Sequence, residues 1–259
     1  MGAQYIDYII ADRIVIPTDQ YEFYSEKVAC LPNCFQVTDR ERCIADKIFT
    51  RAEAGLPQDG FVFCSFNNSY KITPDFFDIW MRILKQVHDS VLWLVGGSPT
   101  MERNLRSEAA ARGVDAGRLV FAQRLPLPEY QARLRLADLF LDTLPYNAGT
   151  TASDALWAGL PILTRVGDTF VARMAASLLT AIDLPELITR TPEAYEQMAI
   201  DLATHPEKLA IIKRKLAENR LTTPLFDTKL FTKHIEAAYI AMYERHQAGL
   251  SPDHILIPN

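Results

Sequence analysis

Short apolar runs alternate along most of the chain with stretches in which apolar residues recur every three or four positions. Runs of strand length, rich in β-branched and aromatic residues, cover residues 61–66, 90–95, 118–121, 139–141 and 161–164. Amphipathic stretches between and after these runs predict helices at residues 74–88, 101–112, 128–136, 151–158 and 170–179. Five successive strand–helix units predict an α/β fold, with a doubly wound parallel sheet covered by helices.

The pattern changes on both sides of this region. After Leu187 the strand signals stop, and helical spacing predicts three helices at residues 192–204, 206–219 and 229–246. Before Gly60 an apolar run covers residues 5–16, and a helix is predicted at residues 21–28. Residues 251–259 contain two prolines and no periodicity, so we expect an extended tail. The pattern therefore divides the chain into residues 1–56, 57–187 and 188–259.

Composition and charge exclude several classes of protein. The 259 residues are 49% hydrophobic and 23% charged, which is typical of a packed globular protein. The net charge of -5, without a basic run, argues against a nucleic-acid partner. No apolar run approaches the roughly 20 residues that span a bilayer, and the N-terminus does not have the pattern of a signal peptide, so we expect a cytoplasmic protein without a membrane span.

The cysteines and histidines give no indication of a metal site. Cys30, Cys34, Cys43 and Cys64 match no common zinc-ligand spacing, and no histidine lies among them. We therefore expect reduced thiols and no bound metal.

The most suggestive stretch for ligand binding is residues 141–161, where a strand ends, a loop follows and a helix begins. Gly149 lets the backbone approach a ligand, Thr150 and Thr151 supply hydroxyl groups, and the first turn of a helix has free N–H groups that attract an anion. Thr151 and Asp154 also fit a capping box, with Thr151 as the N-cap. A third possibility is that Asp154 accepts hydrogen bonds from the hydroxyls of a ribose.

Two further loops follow predicted strands. Lys71, close to Asn68, could neutralise a diphosphate or be an ordinary solvated lysine. After the strand at residues 118–121, Tyr130 and Arg133 lie three positions apart on one helix face. The ring of Tyr130 could stack on a base, although packing is the more common role of such a residue.

The sequence resembles the catalytic region of the O-GlcNAc transferase and SPINDLY family. The similarity covers nearly the whole chain, and the motifs occur in the family's order. The matching segments are residues 66–71 (FNNSYK), 90–94 (SVLWL), 142–143 (DT), 147–154 (NAGTTASD), 156–159 (LWAG) and 224–228 (PLFDT).

The resemblance implies an inverting, metal-independent glycosyltransferase of GT-B architecture, without a cofactor. In that architecture two Rossmann-like lobes face each other, and residues 57–187 would form the nucleotide-sugar-binding C-terminal lobe, followed by C-terminal helices and a tail. The implied donor is UDP-N-acetylglucosamine, and the implied acceptors are Ser and Thr of proteins.

The resemblance also assigns roles to individual residues at the diphosphate. Lys71 is expected to contact the diphosphate and stabilise the leaving group, as the catalytic residue, with Asn68 beside it. Thr150 and Thr151, after Gly149, are expected to bind phosphate at the start of a helix.

At the nucleoside, the resemblance assigns the ribose to Asp154 and the base to Tyr130 by stacking. The backbone of Leu125 is expected to read the edge of the base, and Arg133 is expected to support that loop. Tyr130 and Gly149 each stand where animal members of the family have a histidine. One alternative is therefore a GDP-fucose donor, as in plant SPINDLY-type relatives. A separate alternative is that the chain is a non-catalytic nucleotide-sugar-binding remnant.

The family's tetratricopeptide repeats and most of its N-terminal catalytic lobe have no counterpart in this sequence. Residues 1–56 are interpreted as the remnant of that lobe and its connection. We therefore expect a missing lobe or a tetratricopeptide-repeat partner, and an exposed apolar patch that promotes dimerisation or aggregation.

Overall fold

The computed structural model describes residues 2–259 and contains two parallel sheets joined by helices. The strands are β1 (Tyr8–Asp12), β2 (Lys27–Leu31), β3 (Val62–Ser65), β4 (Val91–Val95), β5 (Leu119–Ala122), β6 (Leu139–Leu141), β7 (Ile162–Arg165), β8 (Ile188–Thr189) and β9 (Ile255–Leu256). The α-helices are α1 (Pro74–Gln86), α2 (Pro99–Ala111), α3 (Leu127–Leu134), α4 (Thr150–Ala158), α5 (Met174–Ala181), α6 (Pro192–Thr204), α7 (Pro206–Thr222) and α8 (Thr228–Gln247).

The larger sheet has the order β5-β4-β3-β6-β7-β8, and its neighbouring strands are parallel. The chain builds one half of the sheet outward from β3 to β5 and then returns to place β6 on the other side of β3. Strands β3 and β6 are buried along their whole length, which explains their uninterrupted apolar sequences. The predicted doubly wound α/β fold is confirmed, and its topological switch point lies between β3 and β6.

A buried aromatic cluster ties two helices to the end of β6. Trp80 on α1 and Tyr195 on α6 are fully buried. The Nε1 of Trp80 donates a hydrogen bond to the Tyr195 hydroxyl at 3.4 Å, and that hydroxyl donates to the carbonyl oxygen of Asp142 at 2.9 Å. Because Asp142 directly follows β6, the core fixes the position of the chain where the sheet ends.

The smaller sheet has the order β1-β2-β9, with β2 in the centre. Helix α8 packs on it through Ala238, next to Ala29, Leu31 and Ile257. The terminal residues 251–259 are therefore not only an extended tail, because β9 pairs with β2 from the other end of the sequence. Strand β9 has only two residues, too few to show an alternating strand pattern in the sequence.

The predicted helix at residues 21–28 is wrong. A 3-10 helix covers Thr18–Phe23, and the chain then enters β2. The run from Val28 to Leu31 is buried because β2 has a parallel neighbour on each side and α8 on one face. A short apolar run of this kind fits a buried strand as well as part of a helix, and only the distant partners decide between them.

Two smaller corrections concern the C-terminal half. A short strand, β8, occurs after Leu187 at the edge of the larger sheet, where no strand was expected. The helix predicted at residues 170–179 is divided into a 3-10 turn at Phe170–Ala172 and α5, which begins at Met174.

The surface around α8 is partly apolar. Tyr239, Ile240, Tyr243 and Leu250 are each more than half exposed. Association through this patch stays a prediction. None of the helices in residues 2–259 combines the length and apolar character needed to cross a membrane.

Candidate functional site

A cavity of about 390 Å³ opens at the carboxyl ends of β3 and β4, beside the start of α4. In a doubly wound sheet this edge, at the topological switch point, is where ligands bind. The residues around the cavity are Phe66, Asn67, Asn68, Tyr70, Lys71, Val95, Gln123, Arg124, Leu125, Leu127, Tyr130, Arg133, Thr151 and Asp154.

Most residues that the sequence singled out meet in this one cavity. They come from three separate segments, and those that line the cavity are Asn68, Lys71, Leu125, Tyr130, Arg133, Thr151 and Asp154. Gly149 and Thr150 do not line it, although they lie next to Thr151 at the start of α4.

Lys71 is anchored rather than free on the surface. Its Nζ donates hydrogen bonds to the carbonyl oxygen of Asn147 at 2.9 Å and to Oδ1 of Asn67 at 3.4 Å, and it lies 4.0 Å from the centre of the Tyr146 ring. Burial lowers the pKa of Lys71, and the carboxylate of Asp142 opposes that shift. The interpretation of Lys71 as an ordinary solvated lysine is therefore wrong.

Asp142 organises the loop in front of α4. The side chain of Asp142 is fully buried. Its Oδ1 accepts hydrogen bonds from the Ala148 N–H at 2.7 Å and from Nδ2 of Asn67 at 3.4 Å. Oδ2 accepts one from the Thr164 hydroxyl at 2.7 Å. Burial raises the pKa of Asp142 to about 6, against the effect of these hydrogen bonds. Sequence reasoning gave Asp142 no role, although a carboxylate directly after a buried strand was a usable signal.

The start of α4 differs from the predicted capping box. The helix begins at Thr150 with Gly149 as its N-cap, and no side chain caps it. Thr151 therefore lies inside the first turn rather than at the N-cap position, and Asp154 lies beyond that turn. Among residues 2–259 no side chain accepts a hydrogen bond from the N–H groups of this first turn, which leaves them available to an anion.

Asp154 is instead held by two side chains. Its Oδ1 accepts hydrogen bonds from Nη1 of Arg42 at 2.5 Å and from Nε2 of Gln131 at 3.3 Å. Burial raises the pKa of Asp154, and the Arg42 guanidinium opposes that shift. Neither Arg42 nor Gln131 was anticipated, because their partner lies far away in the sequence.

Two aromatic side chains, Tyr130 on α3 and Phe66 after β3, form part of the cavity wall. The ring of Tyr130 lies 5.8 Å from that of Phe66, and burial raises the pKa of Tyr130 strongly. The guanidinium of Arg133 lies 5.4 Å from the Trp93 ring and 5.8 Å from the Phe66 ring. Tyr130 therefore packs against the core and also lines the cavity, so packing and stacking are compatible.

A larger cavity of about 1230 Å³ lies at the opposite, amino ends of β3 and β4. Asp138 in its wall is already paired with Arg51 at 3.1 Å and with Lys213 at 3.3 Å. This cavity is a poorer candidate for a ligand site, because ligands of doubly wound sheets bind at the opposite, carboxyl edge. In addition, Arg51 and Lys213 already neutralise the charge of Asp138. Within residues 2–259 no group of three or more His, Cys, Asp or Glu side chains is arranged to hold a metal ion.

Comparison with known proteins identifies the family. The model of glycosyl transferase family 41 matches residues 1–48 and 41–235. This chain belongs to glycosyl transferase family 41. The family that the sequence motifs indicated is therefore confirmed.

Two plant relatives show the extent of the similarity. The chain is 37% identical over 262 residues to the probable UDP-N-acetylglucosamine–peptide N-acetylglucosaminyltransferase SEC of Arabidopsis thaliana, covering 99% of this chain and 27% of the relative. It is 30% identical to the SPINDLY protein of Hordeum vulgare, over 97% of this chain and 27% of that protein. The chain thus spans about a quarter of the length of these relatives.

Solved structures agree with the fold. A mutant of the Thermobaculum terrenum O-GlcNAc transferase superimposes with a TM-score of 0.79 at 29% identity, over 92% of this chain and 45% of that chain. The glycosyltransferase WaaG superimposes with a TM-score of 0.61 at 18% identity, over 90% of this chain and 61% of WaaG, which supports the fold alone. This family 41 chain has the Rossmann-like fold of the C-terminal lobe of a GT-B glycosyltransferase.

Proposed function

We propose that the chain binds UDP-N-acetylglucosamine in the cavity at the carboxyl ends of β3 and β4. It would supply the donor-binding half of an inverting protein O-glycosyltransferase, which transfers N-acetylglucosamine to Ser and Thr of proteins. One observation carries the proposal: Lys71, Thr151 in the uncapped first turn of α4, and Asp154 line one cavity at the carboxyl ends of the strands in a family 41 chain.

The diphosphate end of the site fits the chemistry of the leaving group. Breaking the bond between sugar and phosphate leaves additional negative charge on the diphosphate. The Lys71 ammonium and the first N–H groups of α4 would stabilise that charge, assisted by the hydroxyls of Thr150 and Thr151. Because these groups are held in place before the donor arrives, we propose that the reaction needs neither a metal ion nor a cofactor.

The nucleoside end is proposed to lie between α3 and α4. Asp154 would accept hydrogen bonds from the ribose, and Tyr130 would stack on the base. The backbone of Leu125 would contact the base edge, and Arg133 would support the loop through its contacts with Trp93.

The relatives support the choice of donor and acceptor. The SEC and SPINDLY proteins are both named as probable UDP-N-acetylglucosamine–peptide transferases, and the identity to SEC is the higher of the two. We propose that a first GT-B lobe, in the same protein or in a partner, completes the catalytic site and binds the protein acceptor. We further propose that the reaction takes place in the cytoplasm.

Calorimetric titration with UDP, GDP and their sugar conjugates tests the donor site. We expect binding of the uridine nucleotides by the parent chain and a loss of about 1.5–3 kcal/mol for Lys71→Ala, the usual contribution of a hydrogen bond to a charged group. Lys85→Ala, at an exposed position of α1, is the matched control and should bind like the parent. Absence of nucleotide binding, or equal UDP affinity in Lys71→Ala and the parent, would refute the site; preferential binding of GDP would correct the donor.

A second measurement tests the need for the first lobe. We expect transfer from UDP-N-acetylglucosamine to a peptide only when that lobe is supplied. Turnover by this chain alone would contradict the proposed division of labour. Binding without transfer under any complementation would instead indicate a non-catalytic nucleotide-sugar-binding protein.

A further inference from the structure

Arg42 reaches the donor cavity from a segment that contains no helix or strand. Residues 32–61 connect β2 to β3 and contact both α3 and α4. The side chain of Arg42 is largely buried, with 17% of its surface exposed. A charged side chain that is buried to this extent needs a partner, and for Arg42 the partner is the carboxylate of Asp154.

Besides the bond from the Arg42 side chain to Asp154, three hydrogen bonds tie this segment to α3 and α4. The hydroxyls of Thr38 and Ser153 are 2.7 Å apart, and Nε1 of Trp157 donates to the carbonyl oxygen of Arg42 at 3.2 Å. The N–H of Ala45 donates to the carbonyl oxygen of Pro128 at 3.0 Å. Two of these contacts are with α4 and one is with α3, so the backbone around Arg42 is fixed across the gap between the two helices.

Arg42 and Gln131 occupy one side of the Asp154 carboxylate. Both donate to Oδ1, whereas no group within residues 2–259 donates a hydrogen bond to Oδ2. Asp154 lines the donor cavity, and its side chain is only 8% exposed. A buried carboxylate of this kind is stable as an anion only with a partner, and Arg42 is the cation bonded to it.

We propose that Arg42 is a positioning residue of the donor site: it fixes Asp154 through Oδ1 so that Oδ2 accepts the hydrogen bonds of the donor's ribose. The inference rests on the proposed function and adds to it a residue from outside the sheet. Without Arg42 the carboxylate would lose its bound cation and take up a proton more readily, and a protonated oxygen is a poorer acceptor. The other titratable side chains around the cavity are Tyr70, Lys71, Arg124, Tyr130 and Arg133.

The experiment compares the affinities of UDP and 2′-deoxy-UDP in the parent, in Arg42→Met and in Arg40→Met. Arg40 lies on the same segment and is exposed, which makes it the matched control. We expect the parent and Arg40→Met to prefer UDP by about tenfold, the usual effect of one hydrogen bond to a charged group. Arg42→Met should bind UDP about tenfold more weakly and 2′-deoxy-UDP nearly as well as the parent, so the preference should disappear.

A pH series provides a readout that loss of packing alone would not change. The UDP affinity of Arg42→Met should fall at a higher pH than that of the parent as the solution is acidified, because Asp154 is protonated more easily. If Arg42→Met does not fold, Arg42→Lys replaces it and should show a reduced but measurable preference for UDP, because lysine keeps the charge without the planar guanidinium.

Each outcome distinguishes the inference from the function on which it rests. If the parent binds no nucleotide, both fall. If the parent binds UDP and Arg42→Met keeps the same preference for UDP over 2′-deoxy-UDP, only the inference falls. Tighter UDP binding by Arg42→Met would also overturn it, because Arg42 would then be competing with the ribose for Asp154.

Discussion

The Nζ of Lys71 donates a hydrogen bond to the carbonyl oxygen of Asn147 over 2.9 Å, which joins the segment after β3 to the segment after β6. These two strands are neighbours in the sheet although other elements separate them in the sequence. The lysine charge is therefore held at the switch point, within reach of the first turn of α4. This hydrogen bond holds the half-buried ammonium of Lys71 in place before a diphosphate binds.

Replacement of Lys71 by methionine should discriminate between phosphate and nucleoside binding. Methionine keeps the apolar stem of the side chain and removes the charge, so UDP should bind more weakly by about 1.5–3 kcal/mol. Uridine, which has no phosphate, should bind equally to both proteins. Titration calorimetry with uridine, UMP and UDP measures the difference, and an equal loss for all three ligands would show that Lys71 supports the cavity as a whole.

Tyr130 should contribute to binding through its ring rather than through its hydroxyl. Its ring is close to Phe66 in the cavity wall, and no protein group in residues 2–259 makes a hydrogen bond to its hydroxyl. We expect Tyr130→Phe to bind UDP like the parent, and Tyr130→Ala to lose about 1–3 kcal/mol, the usual contribution of base stacking on an aromatic ring. A loss in Tyr130→Phe as large as in Tyr130→Ala would show that the hydroxyl, not the ring, contacts the nucleotide.

The larger sheet and most of the cavity could be predicted from the sequence because local signals were sufficient. The strands on both sides of the switch point are buried apolar runs, and the polar residues directly after them must lie at one edge. The positions after the strands made Lys71, Tyr130 and Asp154 candidates for ligand binding, and the resemblance to the family assigned them to one nucleotide-sugar site.

Other features depend on partners far away along the chain. Strand β2 could be mistaken for a helix because β9, its neighbour, comes from the other end of the sequence. Arg42 has no periodic context, and its role follows only from its bond to Asp154. The capping box was a local pattern that the tertiary contacts of Asp154 override.

The buried carboxylate of Asp142 should make stability depend on pH. Burial raises the pKa of Asp142 from the ordinary value of 3.8 to about 6 in the folded chain. A folded-state pKa above the unfolded value means that this contribution to stability is complete below about pH 4 and is lost as the pH rises through 6. Because two pKa units correspond to roughly 2–3 kcal/mol, the parent should lose about that much from this group between pH 4 and pH 7.5.

Asp142→Asn removes this ionisation and keeps the shape of the side chain. The asparagine oxygen can still accept from the Ala148 N–H, and its amide can donate to the Thr164 hydroxyl. Urea unfolding at pH 4 and pH 7.5 should therefore show that the variant gains stability relative to the parent by about 2–3 kcal/mol as the pH rises. A constant difference between the two proteins at both pH values would exclude Asp142 as the source of the pH dependence.

Any side chain at Gly60, two residues before β3, should lower the free energy of unfolding strongly. Its φ is +97°, and a Cβ atom there would lie 2.0 Å from the carbonyl oxygen of Asp89, so the backbone would have to move. Gly159, after α4, is the matched control, because its φ is +86° and a Cβ there would meet nothing within 4 Å. Urea unfolding should give a loss of about 1–2 kcal/mol for Gly159→Ala, from backbone strain alone, and of about 3–5 kcal/mol for Gly60→Ala, where overpacking is added. Equal losses in the two variants would mean that the contact with Asp89 relaxes without cost and that only the left-handed backbone requires glycine at residue 60.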